Sequence, residues 1–171
     1  MRNSAQISTL NKIEFKLFCN NYYTKPEGFP EFLNTDDDWK KLQSYIDLIK
    51  PEIIFLDSLT HMCIGEIERS ITAQSFIQNY KKYVLSFGKT TFVVHHNTKG
   101  NDKPMTQDNI AGSRVITQEF DFAMGFGNIP TSKGENYSCM LYNKDAENDN
   151  NTAIVYKFNK ERWIERLEKI N

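Results

Sequence analysis

The chain has 171 residues, enough for one domain with a buried core and with no obvious second domain. Its 21 basic and 22 acidic side chains leave a formal charge of −1, which rules out a globally basic nucleic-acid binder and leaves room only for a local basic patch. No apolar run approaches the roughly 20 residues needed to span a bilayer, and the opening stretch MRNSAQISTLNK lacks the apolar core of a signal peptide, so a cytoplasmic protein with no membrane partner is expected. The three cysteines, Cys19, Cys63 and Cys139, are scattered, with no CxxC or Cys/His spacing. They read as reduced, buried small hydrophobes rather than as zinc ligands.

Residues 13–19 (IEFKLFC) alternate apolar Ile13, Phe15, Leu17 and Cys19 with other neighbours, which predicts a strand. A turn-rich stretch with Pro26, Gly28 and Pro30 follows. Three acids, Asp36 to Asp38, then precede Trp39, Leu42, Tyr45, Ile46 and Ile49 at helical spacing, the pattern of an N-capped amphipathic helix stopped by Pro51. IIFLD (53–57) is a continuous apolar run closed by an acid and predicts a strand buried on both faces. Residues 66–86 read as a helix, Gly88 as its C-terminal cap and TTFVVHH (90–96) as a second buried strand. After the polar loop NTKGNDKPMTQDN come a short helix at 113–120 and a strand at 121–126. YSCMLYN (137–143) and TAIVYKFN (152–159) alternate like a hairpin pair, and the tail KERWIERLEKIN reads as a short charged helix or a partly ordered end. This order predicts an α/β domain with a mainly parallel sheet and an antiparallel strand pair at its C-terminal edge.

The residues fit for chemistry gather at strand ends, because ligands of open α/β sheets bind outside the carboxyl ends of the strands. Asp57 closes the first apolar strand, where a carboxylate can hold Mg²⁺ directly or through water. The bland alternative is an acid that caps the next helix. His95 and His96 close the second strand and emerge beside Asp57 if the two strands are neighbours, as a right-handed crossover favours. A histidine there can sense a γ-phosphate or orient an attacking water. The alternative is a structural histidine pair, and that reading is preferred for His61, which lies beyond the strand in a turn.

Taken together, IIFLDSL, a helix, TTFVVHHNTKG and IAGSRVITQEFDFAMGF resemble the C-terminal two-thirds of a RecA-like P-loop ATPase. The similarity is to the hexameric replicative helicases typified by plasmid RepA proteins, with DnaB-type helicases more distant. It covers about residues 40–160 and implies a partial RecA-like three-layer fold. It also implies a nucleotide site for ATP and Mg²⁺ built on Asp57, Ser58, His95 and His96, with a nearby basic residue, Lys99. Gly112 and Ser113 match the opening of a later helix that runs to Asp121. The resemblance further implies a ring-like homo-oligomer. Where related helicases carry a Lys-x-Arg pair that reaches a neighbouring subunit, this chain has Lys144-Asp145-Ala146, so Lys144 is the candidate finger and the arginine is missing. The loop 97–112, with Lys99, Lys103 and Arg114 just beyond, is the candidate contact to single-stranded DNA.

The tripeptide Gly88-Lys89-Thr90 imitates the end of a phosphate loop. The first glycine of such a loop should stand five residues earlier, where Tyr83 sits within a helix, and the flanking order is helix then strand rather than the reverse. The chain is therefore expected to begin after its phosphate loop, as a single incomplete ATPase domain over residues 1–171 with an exposed sheet edge. Three functions follow. One is the C-terminal portion of a helicase-type ATPase in DNA replication or mobile-element maintenance, inactive in isolation; another is a RecA-like binding or regulatory subunit that hydrolyses nothing. The third, an α/β hydrolase using Ser58, His96 and Asp57, lacks a GxSxG elbow.

Overall fold

The computed structural model describes residues 20–62, 70–96, 105–106, 116, 119–145 and 152–170. Helix α1 spans Asp36–Ile49 and starts where the sequence places a cap. Thr35 is extended, its hydroxyl accepts from the Asp38 amide, and the Asp38 carboxylate accepts from the Thr35 amide at 3.0 Å, closing a capping box. The helix ends at Lys50, which enters the left-handed region at φ 51° and donates its N–H to the Ile46 carbonyl at 2.8 Å, one residue before Pro51.

Strand β1 (Ile53–Asp57) leads into the four-residue helix α2 (Leu59–Met62). Helix α3 (Ser70–Tyr83) passes through a 3-10 turn at Leu85–Phe87 to strand β2 (Thr90–Val94). Gly88 sits between them at φ 61°, the left-handed geometry expected of a C-terminal cap. Strands β1 and β2 pair in parallel, with Ile53 opposite Thr90 and Asp57 opposite Val94. Strands β3 (Phe122–Asn128), β4 (Glu135–Asn143), β5 (Ala153–Phe158) and β6 (Ile164–Ile170) form a separate antiparallel sheet in that order.

The α/β class and the antiparallel β4–β5 pair match expectation. Within that class the antiparallel part is wider than expected, since β3 joins β4 and the tail is a strand rather than a short helix or a partly ordered end. The tail departs from its helical composition because the turn at 159–163 folds it back onto β5. The Asn159 amide donates to the Trp163 carbonyl, the Trp163 amide donates to the Asn159 side chain, and Arg162 turns through φ 63°. Ladder hydrogen bonds and the Lys157–Glu165 pair then outweigh a weak intrinsic preference. The predicted strand at 13–19 and most of the predicted helix at 113–120 lie outside the described residues, as do Cys19 and Cys63; Cys139 is buried and unpaired by disulfide.

The core lies on one side of the parallel pair. Ile54 and Leu56 of β1 meet Trp39 and Ile46 of α1, Phe76, Ile77 and Tyr80 of α3, and Val84. Trp39 is the hub. Its indole N–H donates to the Leu33 carbonyl at 3.0 Å, and its rings lie 5.8 Å from Phe76 and 6.3 Å from Tyr83. The opposite faces of β1 and β2 are exposed, so these strands are covered on one face only and not on both as predicted. Their continuous hydrophobicity hides the alternation, since Ile53 and Phe55 point outward as readily as Ile54 and Leu56 point inward.

The α1 cap carries a pH dependence. Lys40, the Tyr83 hydroxyl and Lys82 hold the Asp36 carboxyl far below the ordinary carboxylate value, and the Thr35 hydroxyl and amide lower Asp38. Both groups have folded pKa values below their ordinary 3.8, so their stabilisation is complete above about pH 4 and is lost as pH falls through the folded values. The urea midpoint should therefore drop as the pH is lowered from neutrality to below 4. Thr35→Ala should cost about 1 kcal/mol at neutral pH and shed the Asp38 share of the acid response, both readable by urea titration followed by circular dichroism.

Candidate functional site

The parallel register determines which side chains meet at the strand ends. Asp57 faces outward with Ile53 and Phe55, while Ser58 turns inward and is buried to 1% exposure. The peptide between Asp57 and Ser58 is cis. On β2, Phe92 and Val94 face outward, and His96 continues that alternation as an exposed residue, whereas His95 is half-buried. Asp57 stands opposite Val94, and the exposed His96 follows two residues beyond the carboxyl end of β2.

The outward surface behind this pair is apolar. The Phe55 and Phe92 rings stack at 5.0 Å and 13°, and Phe92 meets Phe122 of β3 edge-on at 6.4 Å. Phe55 is 67% exposed and Phe122 48%. The Asp57–His96 end is thus the polar rim of an open aromatic surface rather than the floor of a pocket. Two concavities of ≈ 240 and ≈ 580 Å³ lie along α3 and α1, and neither Asp57 nor His96 lines them. Among the described residues no group of three or more His, Cys, Asp or Glu side chains converges, so a Mg²⁺ on Asp57 would take the rest of its oxygen shell from phosphate and water.

The remaining expected site residues are not all brought to this end. Ser58 adjoins Asp57 in sequence but points into the core. Lys144 follows the last residue of β4; its amide donates to the Asp121 carbonyl at 2.8 Å, and its ammonium lies 4.0 Å from the Asp121 carboxylate. Both side chains are more than half exposed, so this ion pair holds Lys144 weakly. Lys99, Lys103 and Arg114 lie outside the described residues. Gly88, Lys89 and Thr90 stand at the amino end of β2, at the opposite end of the parallel pair from Asp57.

Strand-end reasoning misses one positioning feature. Gly125 of β3 leaves room for Met105 and Leu141, and Gly127 for the Tyr137 ring. A Cβ on Gly125 would come 3.0 Å from Met105 Sδ, and one on Gly127 would come 2.7 Å from the Tyr137 ring. The Tyr137 hydroxyl in turn accepts from the Met105 amide at 3.0 Å. Glycine at alternate positions within a strand is the available signal, since it marks close approach by another segment.

No protein-family profile and no curated protein matches the chain. By fold, 22 solved chains match. One is a structure described as a DnaB-like replicative helicase and its interactions with primase, at 14% identity and a TM-score of 0.55, covering 77% of this chain and 35% of that one. The chain thus spans about a third of the helicase's length, and the likeness is one of fold.

The burial of these neighbours separates their roles. Asp57→Asn should leave the urea midpoint within about 0.5 kcal/mol of the parent, as for other exposed substitutions. Ser58→Leu should lower stability by about 1–3 kcal/mol through overpacking. Urea titration of the two variants checks both.

Proposed function

We propose that the chain is the C-terminal portion of a RecA-like ATPase of the replicative-helicase type, coupling ATP hydrolysis to DNA replication or mobile-element maintenance. The observation that carries this reading is the position of Asp57 and His96 at the carboxyl ends of paired parallel strands, where nucleotides bind in such sheets. The fold likeness to a DnaB-like replicative helicase supports it.

Asp57 would hold Mg²⁺ through its carboxylate, directly or by a bound water, and so place the metal against the β- and γ-phosphates of ATP. His96 would meet the γ-phosphate or orient the attacking water, and the inward-turned Ser58 and His95 would fix the two strand ends that carry them. Lys144 would reach the phosphate of a neighbouring subunit in a ring, its exposed ion pair with Asp121 being weak enough to exchange. Lys99, Lys103 and Arg114 would neutralise the phosphates of single-stranded DNA. The 171 residues contain no GxxxxGK[ST] segment, and under this reading the cradle for the β-phosphate would come from another polypeptide segment.

A second reading is a RecA-like subunit that binds without hydrolysing. The two are separated by joining the chain to a RecA-like segment that carries GxxxxGK[ST] and measuring phosphate release. Under the ATPase reading the chain alone is inert, the joined protein turns over MgATP, and Asp57→Asn lowers that turnover by about 10²-fold or more. Turnover indifferent to Asp57, or a joined protein that binds ATP and stays inert, overturns the ATPase reading in favour of the second.

A further inference from the structure

Two glycines at alternate positions of β3 open a trough on one face of the antiparallel sheet. Gly125 pairs with Cys139, and Gly127 pairs with Tyr137. The Tyr137 ring lies where a Cβ on Gly127 would stand, with its nearest atom 2.7 Å from that position. At Gly125 the same place is closed by Met105 Sδ and Leu141 Cδ1, each 3.0 Å from where a Cβ would be. The trough is thus filled by a tyrosine ring, a leucine and a thioether, with less than ordinary contact distance left over the Gly125 backbone for a further heavy atom.

Met105 belongs to no helix or strand. Its amide donates to the Tyr137 hydroxyl at 3.0 Å, and its sulfur sits over Gly125. Backbone and side chain therefore meet the same trough, and the sulfur holds its place there by being apolar. Met105 is half-buried, so small solutes reach it from solvent. Other methionines are held in other ways. Met62 packs against the main core, while Met124 and Met140 lie within strands and are positioned by their ladder.

We propose that Met105 is a redox modification site: a hydroperoxide converts its thioether to the sulfoxide, and the sulfoxide releases the Met105–Thr106 segment from the glycine trough. A sulfur lone pair attacks one peroxide oxygen, the O–O bond breaks as the S–O bond forms, and the displaced oxygen takes up a proton and leaves as water or an alcohol. The sulfur is oxidised by two electrons and the peroxide is reduced by two. The oxygen gained is polar and adds bulk to a side chain wedged between Leu141 and a glycine backbone, so the sulfoxide is better solvated outside the trough. Its departure draws the Met105 amide off the Tyr137 hydroxyl. Reduction back to the thioether reseats the segment. The inference does not rest on ATP hydrolysis, and its test uses no nucleotide.

The folded 171-residue protein, treated with hydrogen peroxide, should gain an oxygen on Met105 over the time in which Met124, 47% exposed, reacts. Peptide mass mapping reads both. Hydrogen exchange of the Met105 amide, followed by NMR, should then quicken about tenfold, with the amides of β4 and β5 unchanged. The two methionine sulfoxide reductases, one for each sulfoxide epimer, should restore slow exchange. Met105→Leu keeps an apolar side chain of similar volume and should exchange slowly with and without peroxide. Tyr137→Phe removes the acceptor alone and should quicken exchange before any oxidation. Met124→Leu should leave the response intact. A Met105 that remains a thioether once Met124 is fully oxidised overturns the inference. So does a Met105 sulfoxide whose amide exchanges within about twofold of the parent's. A peroxide response that persists in Met105→Leu overturns it as well, by assigning the change to another methionine.

Discussion

The parallel pairing of β1 with β2 is the constraint on which the rest of the candidate site depends. Five consecutive residue pairs hold Asp57 opposite Val94 and bring the segment bearing His95 and His96 to the end where Asp57 stands. A slip of one strand by one residue would turn its apolar inner row toward solvent. The slip is opposed from the inner side, where Ile54 and Leu56 lock into the cluster around Trp39, Phe76 and Tyr80. Packing far from the strand ends thereby fixes the chemistry that the ends can offer.

Much of this is legible in the sequence because local signals agree. Thr35 before three aspartates, with Trp39 and Ile46 spaced along one side, specifies α1 and its buried stripe without reference to the rest of the chain. The same holds for Gly88 after a helix, and for the alternation in YSCMLYN. The strand-end placement of Asp57, His95 and His96 follows from apolar runs closed by polar residues.

Less legible is everything that depends on what faces what. IIFLD is apolar throughout, and nothing in its composition distinguishes a strand covered on both faces from one covered on a single face. The tail KERWIERLEKIN has helical composition, yet the turn geometry of Asn159 and Arg162 determines its pairing with β5. Lys144 lies at the expected strand end, but its neighbour Asp121 comes from across a ladder and cannot be inferred from spacing. The docking of Met105 on Gly125 is a tertiary contact of the same kind.

The split of the strands into two sheets has a consequence for how the molecule loosens. Strands β4 and β5 are each hydrogen-bonded on both sides, whereas among the described residues β1 and β2 bond only to one another. Amides of β4 and β5 are thus shielded by ladders on either flank. The Asp57 carboxylate closes β1 and the His96 imidazole follows β2. A ligand that bridges them would act as a clasp across that pair, raising the opening energy of the pair while leaving β4 and β5 unchanged.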